Sequence, residues 1–433
     1  MNELGRKAPV ATRHEVPQLT EHLFRHEAGK LVSVLTGIFG LDRLQMAEDV
    51  VQEALVRALQ TWPYDGIPKN PAAWLMQTAK HLALDVVRRE KRFHEKQPEI
   101  ITTVEQRLAP LDPGDGPLFD DEIKDGRLRL IFACCHPALA PEAQSALALK
   151  TLCGFSPAEI AKAFLVTEAA IAKRLTRARQ SIQEQKIPFE IPAGEELAGR
   201  LDGVLQILYL LFSEGYKASS GDSLVRAELC FEAIRLAGHL TAHPAGNQPR
   251  THALLSLMLL DAARLTGRTD AAGNIVRLEE QDRATWDRGL IGRGIQHLAR
   301  AAAGSALSEY HLQAGIAACH CAAPDYRATD WRAILAHYDA WLRLTDSPIV
   351  ALNRAVALAK VEGPHAGLRA VAAISDRRAL DGYYLTHAVL GEFEAQLHHF
   401  ESAIAHLRRA LELTELKSEQ SFLAKKLREL DAR

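Results

Sequence analysis

Three clusters of side chains in this 433-residue sequence combine residue types and spacings that could do chemistry, and in each case the chemistry is binding. The first runs from Asn70 to Arg92. Its apolar residues Trp74, Leu75, Ala79, Leu82, Ala83 and Val86 recur at helical spacing and predict a buried stripe, leaving Lys80, His81, Arg88, Arg89, Lys91 and Arg92 as a basic surface. Such a surface neutralises phosphates. The plainer reading is a helix that keeps itself soluble and complements its own dipole at Arg-Arg-Glu-Lys-Arg.

The second cluster runs from Ser156 to Leu175. Ser156 and Glu159 have capping-box spacing, and Pro157 falls at the first helical position. Ile160, Ala161 and Phe164 share one face, a tight turn follows through Leu165 and Val166, and Thr167 can cap a second helix that packs through Ile171 and Leu175. This is helix-turn-helix spacing. It leaves Glu168, Ala169, Lys173, Arg174, Arg177 and Arg179 for a major groove and its phosphates, with Thr167 at their head. An ordinary helical hairpin with a solvated basic face is the bland alternative. The third cluster is the amphipathic stretch Met46 to Leu59, with Val50, Val51, Ala54, Leu55 and Ala58 inward and Glu48, Asp49, Gln52 and Glu53 as an acidic outer edge. DNA repels such an edge, so it points to a protein partner.

The elements that must position these clusters are all helices. No run shows β alternation, and the expected fold class is all-α. Residues 20–95 form one block. Residues 96–127 read as an acidic, Pro- and Gly-rich linker around Ala109 to Pro117, and residues 128–186 form a second block. Ile187 to Gly194 breaks the pattern, and residues 187–433 are a helical extension. Toward its end Leu390-Gly391, and Phe400 to Leu413 with small Ala403 and Ala410, match tetratricopeptide spacing.

Composition narrows the classes. A formal net charge of −2 excludes a uniformly basic nucleic-acid coat, so DNA contact must be local. Six cysteines without a CxxC pair fit a reducing cytoplasm better than a disulfide scaffold. No signal peptide or membrane-spanning run is read, and the expected location is cytoplasmic with no membrane partner.

The order of motifs resembles the extracytoplasmic-function (ECF) sigma factors of RNA polymerase: Ala-Glu-Asp-Val-Val-Gln-Glu-Ala at residues 47–54, Ala-Trp-Leu at 73–75 with Asp-Val-Val-Arg-Arg at 85–89, then a linker and a helix-turn-helix ending in Lys-Arg-Leu-Thr-Arg-Ala-Arg at 173–179. The resemblance covers about residues 20–185. It implies two small sigma domains, with Asp49, Gln52 and Glu53 docking on core RNA polymerase. It also implies that Trp74, Gln77, Lys80, His81, Arg88, Arg89 and Arg92 engage and melt the minus-ten element of promoter DNA, and that Thr167, Glu168, Ala169, Lys173, Arg174, Arg177 and Arg179 read the minus-thirty-five element. His81 stands where many relatives carry Asn, and Leu165 where Gly is common. The extension resembles that of the subgroup with a fused C-terminal tetratricopeptide-like domain, and implies a regulatory role and a regulatory protein or ligand as its partner.

Other motifs carry less. Cys134-Cys135-His136 and Cys319-His320-Cys321 read as packed thiols, because adjacent helical ligands diverge by about 100°. No metal, cofactor or enzymatic activity is expected. Gly289 to Gly294 reads as a turn. Glu214, Tyr216, His252, Asp261, Arg264, Asp287, Arg288, His311, His320 and Asn353 read equally as a pocket or as ion pairs between helices. Two other classes stay open: a DNA-binding regulator with a repeat-domain sensor that never joins polymerase, and an enzyme housed in the extension.

Overall fold

The computed structural model describes residues 15–93, 126–164, 166–187, 189, 195–218, 224–375 and 378–431. Among them there is no strand; the one isolated bridge joins Thr269 and Ile275. The expected linker therefore lies almost wholly outside the described residues, as does Leu165. The chain divides into two compact units, Met1–Ile207 and Leu208–Arg433.

The first unit opens with α1 (Glu15–Phe39), α2 (Leu44–Asp65) and α3 (Pro71–Phe93). Gly66, at φ 86°, ends α2. Asn70 then caps α3, its side chain accepting from the Ala73 N–H at 3.1 Å, and Pro71 supplies the first helical residue. The next helices are α4 (Gly126–Cys134), α5 (Pro141–Cys153), α6 (Pro157–Ala163) and α7 (Glu168–Gln185). Their boundaries are local chemistry. The left-handed Gly154 (φ 66°) closes α5. Ser156 and Glu159 form the expected capping box, with bonds of 2.8–3.2 Å in both directions. Thr167 caps α7 by accepting from the Ala170 N–H at 3.3 Å. The core is apolar, with Leu35, Trp62, Leu75, Phe132, Leu147 and Ile160 almost wholly buried.

Helix α8 (Glu195–Tyr216) contains the boundary between the units. In the second unit α9 (Ala227–Ala242) and α10 (Pro249–Ala262) come first; α10 is apolar on nearly every side and is buried from Thr251 to Leu260. That marks it as the centre of the surrounding helices. After a 25-residue connection come α11 (Arg288–Ala301), α12 (Glu309–Ala322), α13 (Trp331–Leu344), α14 (Pro348–Glu362), α15 (Pro364–Ala372), α16 (Arg378–Asp381), α17 (Tyr384–Gln396), α18 (Phe400–Leu413) and α19 (Lys417–Asp431), each from α12 on beginning soon after its predecessor ends. Gly391 on α17 and the buried Ala403 and Ala410 on α18 sit where these helices cross: a Cβ at Gly391 would lie 2.9 Å from Leu407 Cγ. Residues 289–294 are helical, contrary to the turn expected of them, because Asp287 caps α11 through the Leu290 N–H at 2.9 Å.

Candidate protein and nucleic-acid interfaces

On α2 the inward residues are as the spacing requires: Val50, Val51, Ala54, Leu55 and Ala58 are buried. Asp49, Gln52 and Glu53 are exposed on the opposite side. Glu53 pairs with Arg57 at 3.1 Å, and Asp49 accepts from Gln45 at 3.1 Å. Glu48 departs from the expected acidic edge, being only 7% exposed. At about 100° per residue it falls off the outer stripe, toward α5 and α7. Sequence reasoning also missed that Val56 and Leu59 stand out of the same face, 44% and 42% exposed. Apolar side chains among exposed carboxylates mark a protein-binding surface better than either type alone.

Beside Asp49 opens a cleft of about 840 Å³, whose walls include Asp42, Met46, Gln183, Lys186 and Phe189. Phe189 also abuts α1, where a Cβ on Gly37 would lie 3.2 Å from its ring.

On α3, Trp74, Gln77, His81 and Arg88 fall within about 60° of one another around the helix. Gln77, His81 and Arg88 are exposed, and Trp74 is half-buried with its ring edge-on to Trp62 at 5.4 Å. The arrangement offers an aromatic face, two hydrogen-bonding groups and a cation in one line, the kit needed to hold an unstacked nucleotide. Asp85 borders the line and lies 3.9 Å from Arg88. Arg89 is exposed on one flank, Lys80 half-buried on the other. The side chain of Arg92 lies outside the described residues. The buried stripe differs slightly from the expected one: Leu75, Ala79 and Ala83 are buried together with Leu84 and Val87, whereas Leu82 and Val86 are half-buried.

On α7, Ile171, Leu175, Ala178 and Ile182 face the core. Ala169, Lys173 and Arg177 are exposed at i, i+4, i+8 and form one outward stripe, with half-buried Arg174 beside it and exposed Thr167 at its start. Glu168 and Arg179 share the opposite flank, about 160° round from Arg177. Arg179 is turned inward and donates to Glu48 at 2.5 Å; the other Glu48 oxygen accepts from Thr151 at 2.7 Å. The structure therefore does not bring the expected base-reading residues onto one face. Thr151, which completes that interior contact, and Gly29 of α1, where a Cβ would lie 2.2 Å from the Leu152 carbonyl oxygen, carry no motif. Their one sequence signal is a glycine inside a long helix, a mark of close approach.

Some polar residues of the extension are dispersed, whereas Tyr216, Asp261 and Arg264 lie together, with the Arg264 guanidinium 5.6 Å from the centre of the Tyr216 ring. Glu214 is buried against Arg226 at 3.3 Å, His311 serves the cap of α12 with Ser308, and Arg288 and Asn353 are exposed. Tyr216 has Arg268 over its ring at 3.7 Å, and Asp261 pairs with Arg264 at 2.8 Å. His252 and His297 stack with Nδ1 atoms 2.8 Å apart, and burial followed by the charge of His252 pushes the His297 pKa down to about 4. No group of three His, Cys, Asp or Glu side chains suited to a metal occurs among the described residues. None of the helices they form is long and apolar enough to cross a membrane.

Comparison with known proteins follows the same geometry. Residues 23–93 match the family described as Sigma-70 region 2, residues 129–182 match Sigma-70, region 4, and residues 200–302 match a family of unknown function, DUF6596. An uncharacterised protein of Rhizobium meliloti is 40% identical over 392 residues, covering 90% of this chain and 91% of its own length. The ECF RNA polymerase sigma factor SigL of Mycobacterium tuberculosis is 30% identical over 138 residues, 32% of this chain and 72% of that protein. No solved structure matches.

Proposed function

Since this chain belongs to the family of ECF RNA polymerase sigma factors, we propose that it binds core RNA polymerase and directs it to a specific set of promoters. The observation that carries this reading is the co-occurrence, in one chain, of an acidic and apolar face on α2, a base-holding line on α3 and a basic stripe on a helix-turn-helix. A DNA-binding regulator needs only the last of these.

In this reading Asp49, Gln52 and Glu53, with Val56 and Leu59 among them, dock on polymerase. Trp74, Gln77, His81 and Arg88 hold the melted minus-ten strand, flanked by Lys80 and Arg89. Unstacking a base costs a few kcal/mol, offset by stacking and phosphate contacts, so melting is driven by binding and needs no covalent step. Ala169, Lys173 and Arg177, with Arg174 beside them, read the minus-thirty-five element from the major groove. The helical unit from Leu208 onward regulates the sigma core, and the tetratricopeptide-like crossing at Gly391 supports a repeat surface for a regulatory partner. The protein then works where polymerase works, in the cytoplasm.

Co-purification with bacterial core polymerase, followed by transcription from a promoter library with and without residues 208–433, tests this. Promoter-specific transcripts lost on replacing Asp49 and Glu53 by Lys support it. Retention of polymerase by that double variant sinks the docking assignment, and no retention by any form favours the regulator.

A further inference from the structure

Four helices of the second unit bring arginines, tyrosines and an amide into one cluster. Asp261 and Arg264 stand three residues apart on α10 and pair at 2.8 Å. The Arg264 guanidinium lies 5.6 Å from the centre of the Tyr216 ring on α8. Arg268, just after α10, covers the same ring at 3.7 Å and donates to the Tyr216 carbonyl oxygen. Tyr209, two helical turns earlier on α8, donates to Gln313 Oε1 of α12 at 3.0 Å. Tyr338 of α13 completes the group, within electrostatic reach of Asp261, Arg264 and Tyr209.

The charges of this cluster do not balance. Asp261 serves Arg264, and no carboxylate pairs with Arg268 among the described residues. Glu309, the other acid near Tyr209, is exposed. The orphaned groups lean the same way: Arg264 Nε and Gln313 Nε2 are buried without a hydrogen-bond partner, and no buried acceptor of these residues lacks one. Each unpaired buried donor costs about 1–3 kcal/mol, which an acceptor supplied by a ligand recovers. Burial pushes the Tyr338 hydroxyl up to about 12 and moves Tyr216 in the same direction, so both stay protonated and able to donate. Tyr209, Arg264, Arg268, Gln313 and Tyr338 are each half-buried, so the cluster keeps an edge to solvent.

We propose that this cluster is a binding site for a small aromatic carboxylate, its anion held by Arg268, Arg264 Nε and the Gln313 amide and its ring lying against Tyr209 and Tyr338. Tyr216, stacked on Phe212 and covered by Arg268, holds that guanidinium in place. One unpaired guanidinium matches a single negative charge, which favours a carboxylate over a phosphate dianion. The two free tyrosines supply flat apolar walls that an aliphatic or inorganic anion leaves unused. The site gives the regulatory unit a ligand and needs no polymerase contact, so its failure and that of the sigma reading are told apart.

Isothermal titration calorimetry of the full chain with phenylacetate and with indole-3-acetate tests the site, beside phenylacetamide as a neutral isostere and acetate as an anion without a ring. At least one of the two aromatic acids is expected to saturate with a Kd of about 1 mM or tighter, and neither control should bind. Arg268→Gln keeps a donor for the Tyr216 carbonyl but removes the charge. Gln313→Glu keeps the acceptor for Tyr209 and sets a like charge against the ligand. Each is expected to weaken the aromatic acid about tenfold or more. Circular dichroism establishes that each keeps its helices, so failure of one variant to fold leaves the other to decide. No saturation by either aromatic acid, equal binding of phenylacetamide, or unchanged affinity in a folded variant overturns the site.

Discussion

The two units of this protein use charge in opposite ways. In the first, Asp49, Glu53, Arg88, Lys173 and Arg177 stand in solvent on helices whose cores are apolar, and Glu48 with Arg179 is turned inward. In the second, Glu214, Arg226, Arg283 and Glu419 are all less than a tenth exposed. Arg283 donates to the carbonyl oxygens of His320 at 2.6 Å and Ala323 at 3.0 Å and to Thr329 at 2.9 Å, tying α12 to the turn before α13. Glu419 accepts from Tyr384 and Thr414 and pairs with Lys217 at 3.0 Å. Exposed charges facing one way belong to partners, whereas buried charges bonded to neighbouring segments of their own unit belong to the scaffold.

The contrast breaks most sharply if buried charges of the second unit prove dispensable. Arg283→Ala leaves two carbonyls and a hydroxyl without their donor and is expected to destabilise that unit by about 3–4 kcal/mol, read by urea unfolding. A change below about 1 kcal/mol would remove Arg283 from the scaffold.

Acid should act on the same unit. His320 is buried edge-on to Trp331; burial, then Arg264 and Arg283, push its pKa down to about 3. A histidine neutral in the fold but protonated when unfolded withdraws stability as pH falls below about 6.5, with the loss continuing toward the native value. At pH 5 this amounts to about 2 kcal/mol, and His320→Leu should flatten the dependence between about pH 7 and 5, because it removes the group whose proton uptake differs between the folded and unfolded states. His252 and His297, also lowered, act in the same direction.

Smaller effects sharpen the comparison. Gly391→Ala crowds Leu407 and should cost about 1–2 kcal/mol in thermal unfolding. Thr167→Ala removes the α7 cap for about 1 kcal/mol and should weaken promoter binding in gel-shift assays by loosening the helix that carries Lys173 and Arg177. Smallest in stability is the Asp49→Lys, Glu53→Lys pair, expected within about 0.5 kcal/mol of wild type although polymerase capture is lost. A large stability loss there would place these carboxylates with the scaffold.

Much of this was legible in residue order, and the exceptions share a cause. The all-α class, the Ser156 and Thr167 caps and the inward stripe of α2 follow from side chains bonding backbone within four residues or recurring at helical period, so sequence determined them. Val56 and Leu59 were passed over because apolar residues are expected inside. Gly289 to Gly294 looked like a turn until the Asp287 cap and the surrounding helices made it α11. Only the tertiary structure decided that Glu48 is interior and that Arg179 leaves the basic stripe to meet it, because the two are separated by 131 positions. Burial of a charge depends on what chain folding brings opposite it, and no local spacing records that.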